Sequence, residues 1–273
     1  MIVHVYANLE IRVAMELLLH ERQARIQALL EHSGRVLAAE LAENFGVSED
    51  TIRRDLRDMA SAGLCKRVYG GALKAAPSAT SLAERDHERP EAKTALAAVL
   101  AGLIEPGMTV FLDSSSVNTA LARLLVERDD TITVVTNTPS IAVILLGSPK
   151  IELVIIGGSI DRRVSAAIGA RALRDAELLR PDLCVLGACG LAAQTGVTAL
   201  HFEDAEFKRL IVSRSRSVAL AITNDKLGTV AAHDVAPLDA VDVMVVEHDA
   251  DKDMLAPLLV SGLKIYHAAT VRD

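Results

Sequence analysis

Residues 21–73 read ERQARIQALLEHSGRVLAAELAENFGVSEDTIRRDLRDMASAGLCKRVYGGAL, and this stretch decides the fold of the N-terminal part of the chain. Apolar residues recur in it at spacings of three and four, which is the periodicity of an amphipathic helix. Three such sets occur in order: Ile26, Leu29 and Leu30, then Leu37, Leu41 and Phe45, then Ile52, Leu56 and Met59. Gly34 and Gly46 close the first two sets, and glycine can adopt the left-handed conformation of a tight turn. The pattern predicts three short helices.

The third predicted helix carries a polar face rich in arginine. Ser48 precedes this helix and is a suitable N-cap. The polar face consists of Thr51, Arg53, Arg54 and Arg57. In a helix-turn-helix, apolar residues hold the recognition helix to its scaffold while polar residues near its N-terminus contact DNA. A solvated amphipathic helix is the alternative for this segment alone, but three ordered helices with two glycine breaks favour DNA binding.

A glycine-containing hairpin follows the third helix. Gly63 ends the helix, residues 64–68 predict a strand, and residues 69–73 turn the chain back as a wing. Basic side chains on such a wing can touch phosphates or enter a minor groove. The residues expected to contact DNA here are Lys66, Arg67, Gly70 and Gly71. Residues 21–73 therefore predict a winged helix-turn-helix.

The charge distribution permits DNA binding without demonstrating it. The formal net charge of the chain is −7, which on its own argues against nucleic acid. Residues 21–74 nevertheless carry nine basic and eight acidic side chains, and five of the basic ones lie between Arg53 and Arg67. Because an acidic body repels DNA except where this patch faces it, we expect oriented docking.

The composition indicates two domains of a reduced, cytoplasmic protein. A length of 273 residues accommodates two cores, and with 3% aromatic residues and no Trp these cores consist of aliphatic side chains. Cys65, Cys184 and Cys189 are scattered, and no zinc-ligand spacing surrounds them, so we expect free thiols and neither metal nor cofactor. No apolar run reaches the roughly 20 residues of a membrane span.

The first fourteen residues, MIVHVYANLEIRVA, lack the basic n-region and the cleavage site of a secretory signal. Met15 immediately precedes the first predicted helix. We therefore expect translation to begin at Met15 and residues 1–14 to be an extension with little fixed structure. We expect the DNA-binding domain over residues 15–74.

Residues 75–91 are rich in Ala, Ser and charged side chains, with Pro77 and Pro90 as breaks, and predict a linker. Residues 82–85 have the composition for a short turn of helix within it. Beyond the linker, residues 92–273 predict a second, effector-sensing domain.

Strand and helix patterns alternate in the second domain. The predicted strands cover residues 109–112, 132–135, 153–156, 183–186, 217–221 and 243–246. The predicted helices cover residues 92–104, 117–126, 139–146, 171–179, 203–214 and 252–259. This alternation predicts a Rossmann-like α/β domain, an open parallel sheet with helices on both faces. Ligands of such sheets bind beyond the carboxyl ends of the strands, at a topological switch point.

Small polar residues follow four of the predicted strands. They are Asp113, Ser114, Ser115 and Ser116, then Asn137, then Gly157 and Gly158, then Gly187, Cys189 and Gly190. Hydroxyl residues at a helix N-terminus suit a phosphate, and glycines allow a close backbone approach. Plain N-capping is the alternative for the serines. The convergence of these residues at one edge of the sheet favours a pocket for a polar ligand.

The chain resembles the DeoR family of bacterial transcriptional regulators. In the N-terminal part the resemblance rests on residues 21–23, 41–42, 45–48, 51–56, 63–64 and 67–72. In the C-terminal part it rests on residues 113–116, 136–137, 157–158, 187–190, 203–209 and 225–226. The combination of TIRRDL with RVYGGA is specific for the family.

The resemblance implies a sensor domain related in fold to ribose-5-phosphate isomerase that binds a phosphorylated sugar or related metabolite. It also implies that Lys208 and the backbone around Ser114–Ser116 contact the anion; from its chemistry alone, Lys208 is equally compatible with a solvated surface lysine. We expect a repressor of carbohydrate metabolism genes that binds a repeated operator as a homodimer or homotetramer.

One residue departs from the family pattern. Cys189 stands where the family commonly has an acidic residue, and a thiol of ordinary pKa is a poor proton-transfer group. The alternative function is a sugar-phosphate isomerase with an accessory DNA-binding domain. Asp113, Glu206 and Lys208 are the candidate acid and base set for that alternative. Cys189 weakens it, so we expect a regulator and not an enzyme.

Overall fold

The computed structural model describes residues 19–77, 81–259 and 263–270. The chain divides into two compact units between Ala75 and Ala76. The extension expected over residues 1–14 and the proposed start at Met15 lie outside the described residues. Within the described ranges, no helix is long and apolar enough to cross a bilayer.

The N-terminal unit is a winged helix-turn-helix, as predicted. Its elements are α1 (19–33), β1 (Arg35–Leu37), α2 (Ala38–Phe45), α3 (Glu49–Ser61), β2 (Cys65–Val68) and β3 (Gly71–Ala75). Strand β3 pairs antiparallel with both β1 and β2. Gly46 takes the left-handed conformation at the end of α2, with φ +64°, and Ser48 accepts a hydrogen bond from Thr51 N at the start of α3. Both local predictions are confirmed.

Two apolar residues of the predicted helix faces lie outside the core. Leu37 belongs to β1 instead of α2 and is 41% exposed, and Leu29 is 39% exposed. The sequence analysis missed β1 because a three-residue strand after Gly34 has too few residues to show a period. The remaining face residues form the core of this unit.

A buried ion pair connects α1 to α3. Nε of Arg22 donates to Oδ2 of Asp55, and Nη2 donates to Oδ1 at 3.0 Å. The hydrogen bond to Asp55 raises the pKa of the Arg22 guanidinium. Asp55 follows Arg54 directly on α3 and is 1% exposed. The pair thus helps to fix the rotation of α3 about its axis, and with it the direction of the exposed arginines.

The second unit contains seven α-helices, one short 3₁₀ helix (Leu238–Ala240) and thirteen strands within its described residues. The helices are α4 (Leu82–His87), α5 (Pro90–Ala101), α6 (Ser116–Leu125), α7 (Pro139–Leu145), α8 (Ala170–Glu177), α9 (Phe202–Arg214) and α10 (Lys252–Leu259). The strands are β4 (Thr109–Leu112), β5 (Ile132–Thr136), β6 (Ile151–Ile155), β7 (Ile160–Asp161), β8 (Ala166–Ala167), β9 (Leu183–Leu186), β10 (Gly190–Ala192), β11 (Gly196–Ala199), β12 (Ser217–Ile222), β13 (Thr229–Val230), β14 (His233–Ala236), β15 (Val243–Val246) and β16 (Lys264–His267).

Seven of these strands form one parallel sheet in the order β6-β5-β4-β9-β12-β15-β16. The chain order reverses between β4 and β9, which makes that place the topological switch point. Side chains of successive strand residues alternate between two cores: Phe111 packs on the face of α8, α9 and α10, whereas Val110 and Leu112 pack on the face of α5, α6 and α7. The predicted open sheet with helices on both faces is confirmed.

Several strands of this unit were not predicted from the sequence. Strand β16 lies at one edge of the sheet and, within the described residues, pairs with β15 alone. Strands β10, β11 and β14 form a separate antiparallel sheet, and β7 and β8 form a hairpin. These strands contain two to four residues each, which is too short for a periodic pattern to be recognised.

The segment expected to be a linker contains helix α4. Ser81 and Glu84 form a capping box at its start, and Arg123 of α6 pairs with Asp86 at 2.5 Å. Leu82 is 4% exposed. These contacts hold α4 against α6 and the rest of the second unit. The chain immediately before α5 is therefore a structured part of that unit.

We predict that Arg22→Met destabilises the N-terminal unit by about 3 kcal/mol, because it leaves the buried Asp55 carboxylate without its partner. Urea-dependent hydrogen exchange of peptides from residues 19–77 in the full chain measures this loss. The matched control is Arg25→Met, which removes an exposed pair with Glu21 on the same helix and should cost no more than about 0.5 kcal/mol. Equal losses in the two variants would contradict the role of Arg22.

Candidate functional site

A cavity of about 240 Å³ lies in the second unit, at the carboxyl ends of β4, β9 and β12. Residues that follow β4 and β9 form its floor, and α9 contributes one side. Further lining residues come from the β7–β8 hairpin, α4, the start of α5, the turn before α9 and the turn after β12. The cavity therefore occupies the switch point of the sheet, where ligands of open α/β domains bind.

Asp113 joins the two strands that flank the switch point. Its Oδ2 accepts a hydrogen bond from Gly187 N at 2.8 Å, and its Oδ1 accepts one from Asn118 Nδ2 at 2.9 Å. Asn118 also donates to Val185 O at 2.8 Å. Burial raises the pKa of the Asp113 carboxyl. Asp113 lies beneath the cavity and is not one of its lining residues.

Gly187 is required by the same arrangement. A Cβ at this residue would lie 2.5 Å from the Cβ of Ser115 and 2.7 Å from Oδ1 of Asp113. Those distances are too short for real contacts. Gly187 therefore allows the close approach of the end of β9 to Asp113 and to the start of α6.

Lys208 lies in a buried cluster with two carboxylates. Its Nζ is 2.9 Å from Oδ2 of Asp204 and 3.6 Å from Oδ2 of Asp113, and the residue is 4% exposed. Burial acts to lower the pKa of the ammonium group, but Asp204 and Asp113 outweigh it and raise the pKa of Lys208. Lys208 lines the cavity as a charged group, so the interpretation as a solvated surface lysine is wrong.

The three serines at the start of α6 have different environments. Ser115 is the N-cap, and its hydroxyl accepts from Val117 N at 3.2 Å and from Asn118 N at 3.4 Å. The capping alternative thus holds for Ser115. Ser114 and Ser116 also line the cavity, are 5% and 2% exposed, and their hydroxyls have no hydrogen-bond partner among the described residues. They are available to a ligand.

The opposite wall contains side chains that the sequence analysis did not include among the site residues. They are Arg85, Glu88, Arg89, Lys93, Asp225 and Lys226. Arg89 pairs with Asp225 at 3.3 Å and also with the buried Glu247. The family motif at residues 225–226 was the only signal that pointed to this wall; Arg85 lay in the expected linker, where no pattern distinguished it.

Several residues expected at the site lie outside the cavity. Asn137 is buried and its Nδ2 donates to Ala167 O at 3.0 Å, and Gly157 and Gly158 are exposed. These residues follow β5 and β6, which are one and two strands away from the switch point. A Cβ at Gly190 would lie 2.6 Å from Thr229 O, so close packing of the backbone explains that glycine.

The candidate acid and base set of the enzyme alternative is not assembled. Glu206 is exposed on α9, whereas Asp204 on the same helix contacts Lys208. Cys189 lines the cavity and is half-buried. In residues 19–77, 81–259 and 263–270, no cluster of His, Cys, Asp and Glu has the arrangement of a metal site.

The candidate DNA interface lies on α3 and the wing of the first unit. Ser48 and Thr51 bond to each other through their hydroxyls at 2.9 Å. Arg53 pairs with Glu49 at 2.5 Å and Asp50 at 3.3 Å on its own helix. On α3 and the wing, the exposed basic residues without an ion pair among the described residues are Arg54, Arg57, Lys66 and Arg67.

The tip of the wing differs from the expectation at one glycine. Gly70 is exposed with φ +82° and forms the turn with Tyr69, whose side chain is fully exposed. Gly71 is buried, and a Cβ there would lie 2.0 Å from Val36 O of β1. We therefore assign Gly71 to the packing of the wing sheet and not to a DNA contact.

Comparison with known proteins places both units in one family. Residues 22–77 match the model of the DeoR-like helix-turn-helix domain, and residues 88–248 match the model of the DeoR C terminal sensor domain. The chain is 30% identical to the HTH-type transcriptional regulator GlpR of Haloferax volcanii, over 90% of this chain and 96% of that protein. It is 29% identical to the glycerol-3-phosphate regulon repressor of Escherichia coli, over 82% of this chain and 89% of that protein.

Among solved structures, ribose 5-phosphate isomerase A of Methanocaldococcus jannaschii aligns with a TM-score of 0.39 at 13% identity, over 51% of this chain and 55% of that chain. The two family models cover most of each unit. The chain therefore belongs to the DeoR family of transcriptional regulators.

Proposed function

We propose that this regulator is a repressor of carbohydrate metabolism genes whose affinity for its operator is controlled by a phosphorylated metabolite in the switch-point cavity. The observation that carries the proposal is the pair of serines at the start of α6, Ser114 and Ser116, which line the cavity and whose hydroxyls have no hydrogen-bond partner among the described residues. The N-terminus of a helix favours an anion. The volume of about 240 Å³ is just below the roughly 300–1,000 Å³ usual for ligand pockets, which suits a small metabolite.

Lys208 contributes a hydrogen-bond donor to this anion site. An ammonium group has three protons, and Asp204 and Asp113 lie within reach of two of them. The third is available to a ligand because Lys208 lines the cavity. Since two carboxylates already offset its charge, we assign Lys208 the role of orienting the phosphate as well as that of holding α9 to β4.

The relatives support the choice of ligand class and the sign of regulation. One similar protein is, by its name, a glycerol-3-phosphate regulon repressor. Arg85 and Arg89 of the cavity wall lie in the segment that follows the DNA-binding unit along the chain. A ligand that contacts them acts on that segment, and any resulting coupling to DNA must be reciprocal.

We assign the DNA contacts to the exposed basic residues of α3 and the wing. One recognition helix and one wing contact few base pairs, so a second copy of the chain is needed for affinity and for a repeated operator. We therefore propose that the protein binds its operator as a homodimer or homotetramer.

Arg54→Met is expected to weaken operator binding about tenfold and to reduce the salt dependence of binding, because one cationic contact is lost. Fluorescence anisotropy with an operator selected from random DNA measures both quantities. Arg25→Met, which removes an exposed arginine of α1, serves as the matched control. An equal loss for both variants would show general charge attraction in place of a defined interface.

Titration of sugar phosphates into the protein–operator complex is expected to lower operator affinity at least fivefold for one of them. The unphosphorylated sugars should have no effect, because the proposed site recognises the anion. Operator DNA should weaken the binding of that sugar phosphate by the same factor. If no phosphorylated metabolite changes operator affinity, the proposed sensing function is wrong.

Lys208→Met is expected to abolish the response to the sugar phosphate and to destabilise the second unit by about 3–5 kcal/mol, because two buried carboxylates lose their cation. Burial already raises the pKa of Asp113, so the folded state takes up a proton there more readily than the unfolded state. The stability deficit should therefore shrink as the pH falls from neutral toward about 4. Urea denaturation at several pH values tests this.

Lys252→Met, at the exposed start of α10, is the control for Lys208→Met. It should change neither the response to the sugar phosphate nor the stability of the second unit. The double variant Lys208→Met, Asp204→Asn removes one of the two carboxylates left without a cation and should recover part of the stability without recovering the ligand response. Recovery of both would show that Lys208 acts only through the stability of the fold.

A further inference from the structure

Cys189 presents a thiol to the same cavity as the serines of α6. It lines the cavity, is half-buried and belongs to the loop between β9 and β10. Its backbone is held in place, because Cys189 N donates to Thr198 O of β11 at 3.0 Å. All three cysteines of the chain are among the described residues, and the other two, Cys65 and Cys184, are buried. Cys189 is therefore the thiol that a small molecule can reach.

The loop that carries Cys189 lies against the start of α6. Gly187 of this loop is so close to Ser115 that a Cβ at the glycine would lie 2.5 Å from the Cβ of the serine. Ser114 and Ser116 line the cavity, are 5% and 2% exposed, and their hydroxyls have no hydrogen-bond partner among the described residues. These hydroxyls indicate a polar ligand independently of the thiol. A ligand that they hold shares one small cavity with the sulfur.

Two ammonium groups lie within electrostatic reach of the Cys189 sulfur. Burial acts to lower the pKa of Lys208, but the two carboxylates of its cluster and a thiolate at Cys189 act to raise it and prevail. Burial and the neighbouring Arg85 lower the pKa of Lys226. A thiolate at Cys189 and the carboxylate of Asp225 oppose that lowering. Both lysines line the cavity, so a negative charge that forms on or beside the sulfur is stabilised.

A thiol and an aldehyde combine without any other reactant. Thiolate is a strong nucleophile even where it is a minor form at neutral pH. Its sulfur forms a bond to the aldehyde carbon, one of the two carbon–oxygen bonds breaks, and the proton from the thiol ends on the oxygen. The product is a hemithioacetal, in which nothing has been oxidised or reduced and no group has left. The addition is reversible, as regulation by a changing metabolite concentration requires.

We propose that Cys189 binds the effector covalently and reversibly, which makes the effector a phosphorylated aldose in its open-chain aldehyde form. This proposal rests on the proposed function of the cavity as the site of a phosphorylated metabolite. It assigns the phosphate to the start of α6 and to Lys208, and the aldehyde carbon to Cys189. The protein then distinguishes an aldose phosphate from the alcohol phosphate of the same length.

Two pairs of probes test the proposal in the full chain. Erythrose 4-phosphate and glyceraldehyde 3-phosphate keep an open-chain aldehyde, because the hydroxyl that would close a five-membered ring is phosphorylated or absent. Erythritol 4-phosphate and glycerol 3-phosphate have the same skeletons with an alcohol in place of the aldehyde. In calorimetric titrations, at least one aldehyde should bind about tenfold tighter than its alcohol, because the covalent contact adds to the same phosphate contacts.

Cys189→Ser should remove that advantage, so that the aldehyde and its alcohol bind with affinities within about twofold of each other. Binding of the alcohol shows that the variant is folded. The tighter-binding aldehyde, labelled with carbon-13 at its aldehyde carbon, gives a direct readout by NMR, since a hemithioacetal carbon has its own resonance. That resonance should appear with the unchanged protein and be absent with Cys189→Ser. Cys65→Ala removes a buried thiol of the first unit and, as the matched control, should keep both the resonance and the advantage.

Two results would overturn the role of Cys189. The first is equal affinity of the unchanged protein for the aldehyde and the alcohol in both pairs, and the second is an advantage or a hemithioacetal resonance that survives in Cys189→Ser. If no probe binds and no other phosphorylated metabolite affects operator binding, the proposed sensing function fails and the covalent contact falls with it. A response of operator binding to some phosphorylated metabolite, without an adduct of either aldehyde, refutes the covalent contact alone.

Discussion

The buried carboxylate of Asp113 is the constraint on which the sensor unit depends. It accepts hydrogen bonds from β9 and α6 and lies beside Lys208 of α9. Asp113 is 2% exposed, and a carboxylate that is buried to this extent is tolerated only when such partners surround it. Strands β4 and β9 and helices α6 and α9 are therefore held around one carboxyl group.

The pairing of Lys208 with Asp204 and Asp113 fits the proposed role of the cavity as a binding site. A general base or acid must exchange its proton with a substrate, whereas these three groups are engaged with one another. Cys189 adds a half-buried thiol to the wall, and no carboxylate stands in its place. The family membership shown by both units points in the same direction.

Much of the fold was predictable from sequence because long apolar segments with a clear period form the central strands and helices. Part of the cavity lining was predictable for a related reason, since Ser114, Ser116 and Gly187 follow the central strands. Lys208 was indicated only by the resemblance to the family. Asn137 and Gly157 were misplaced because strand order is a tertiary property that local patterns do not contain. Arg85 was missed because its segment shows no period, and only its packing brings it to the cavity.

The pairing of Arg22 with Asp55 limits how this regulator can evolve. Asp55 occupies the middle of the recognition helix, yet its side chain faces the interior and is committed to α1. A substitution of Asp55 therefore affects the stability of the N-terminal unit and not an exposed side chain of α3. In the proposed DNA interface, Arg54, Arg57 and the wing are exposed, and their side chains can be exchanged without disturbing the core. A buried residue thus restricts which positions of α3 are free to vary.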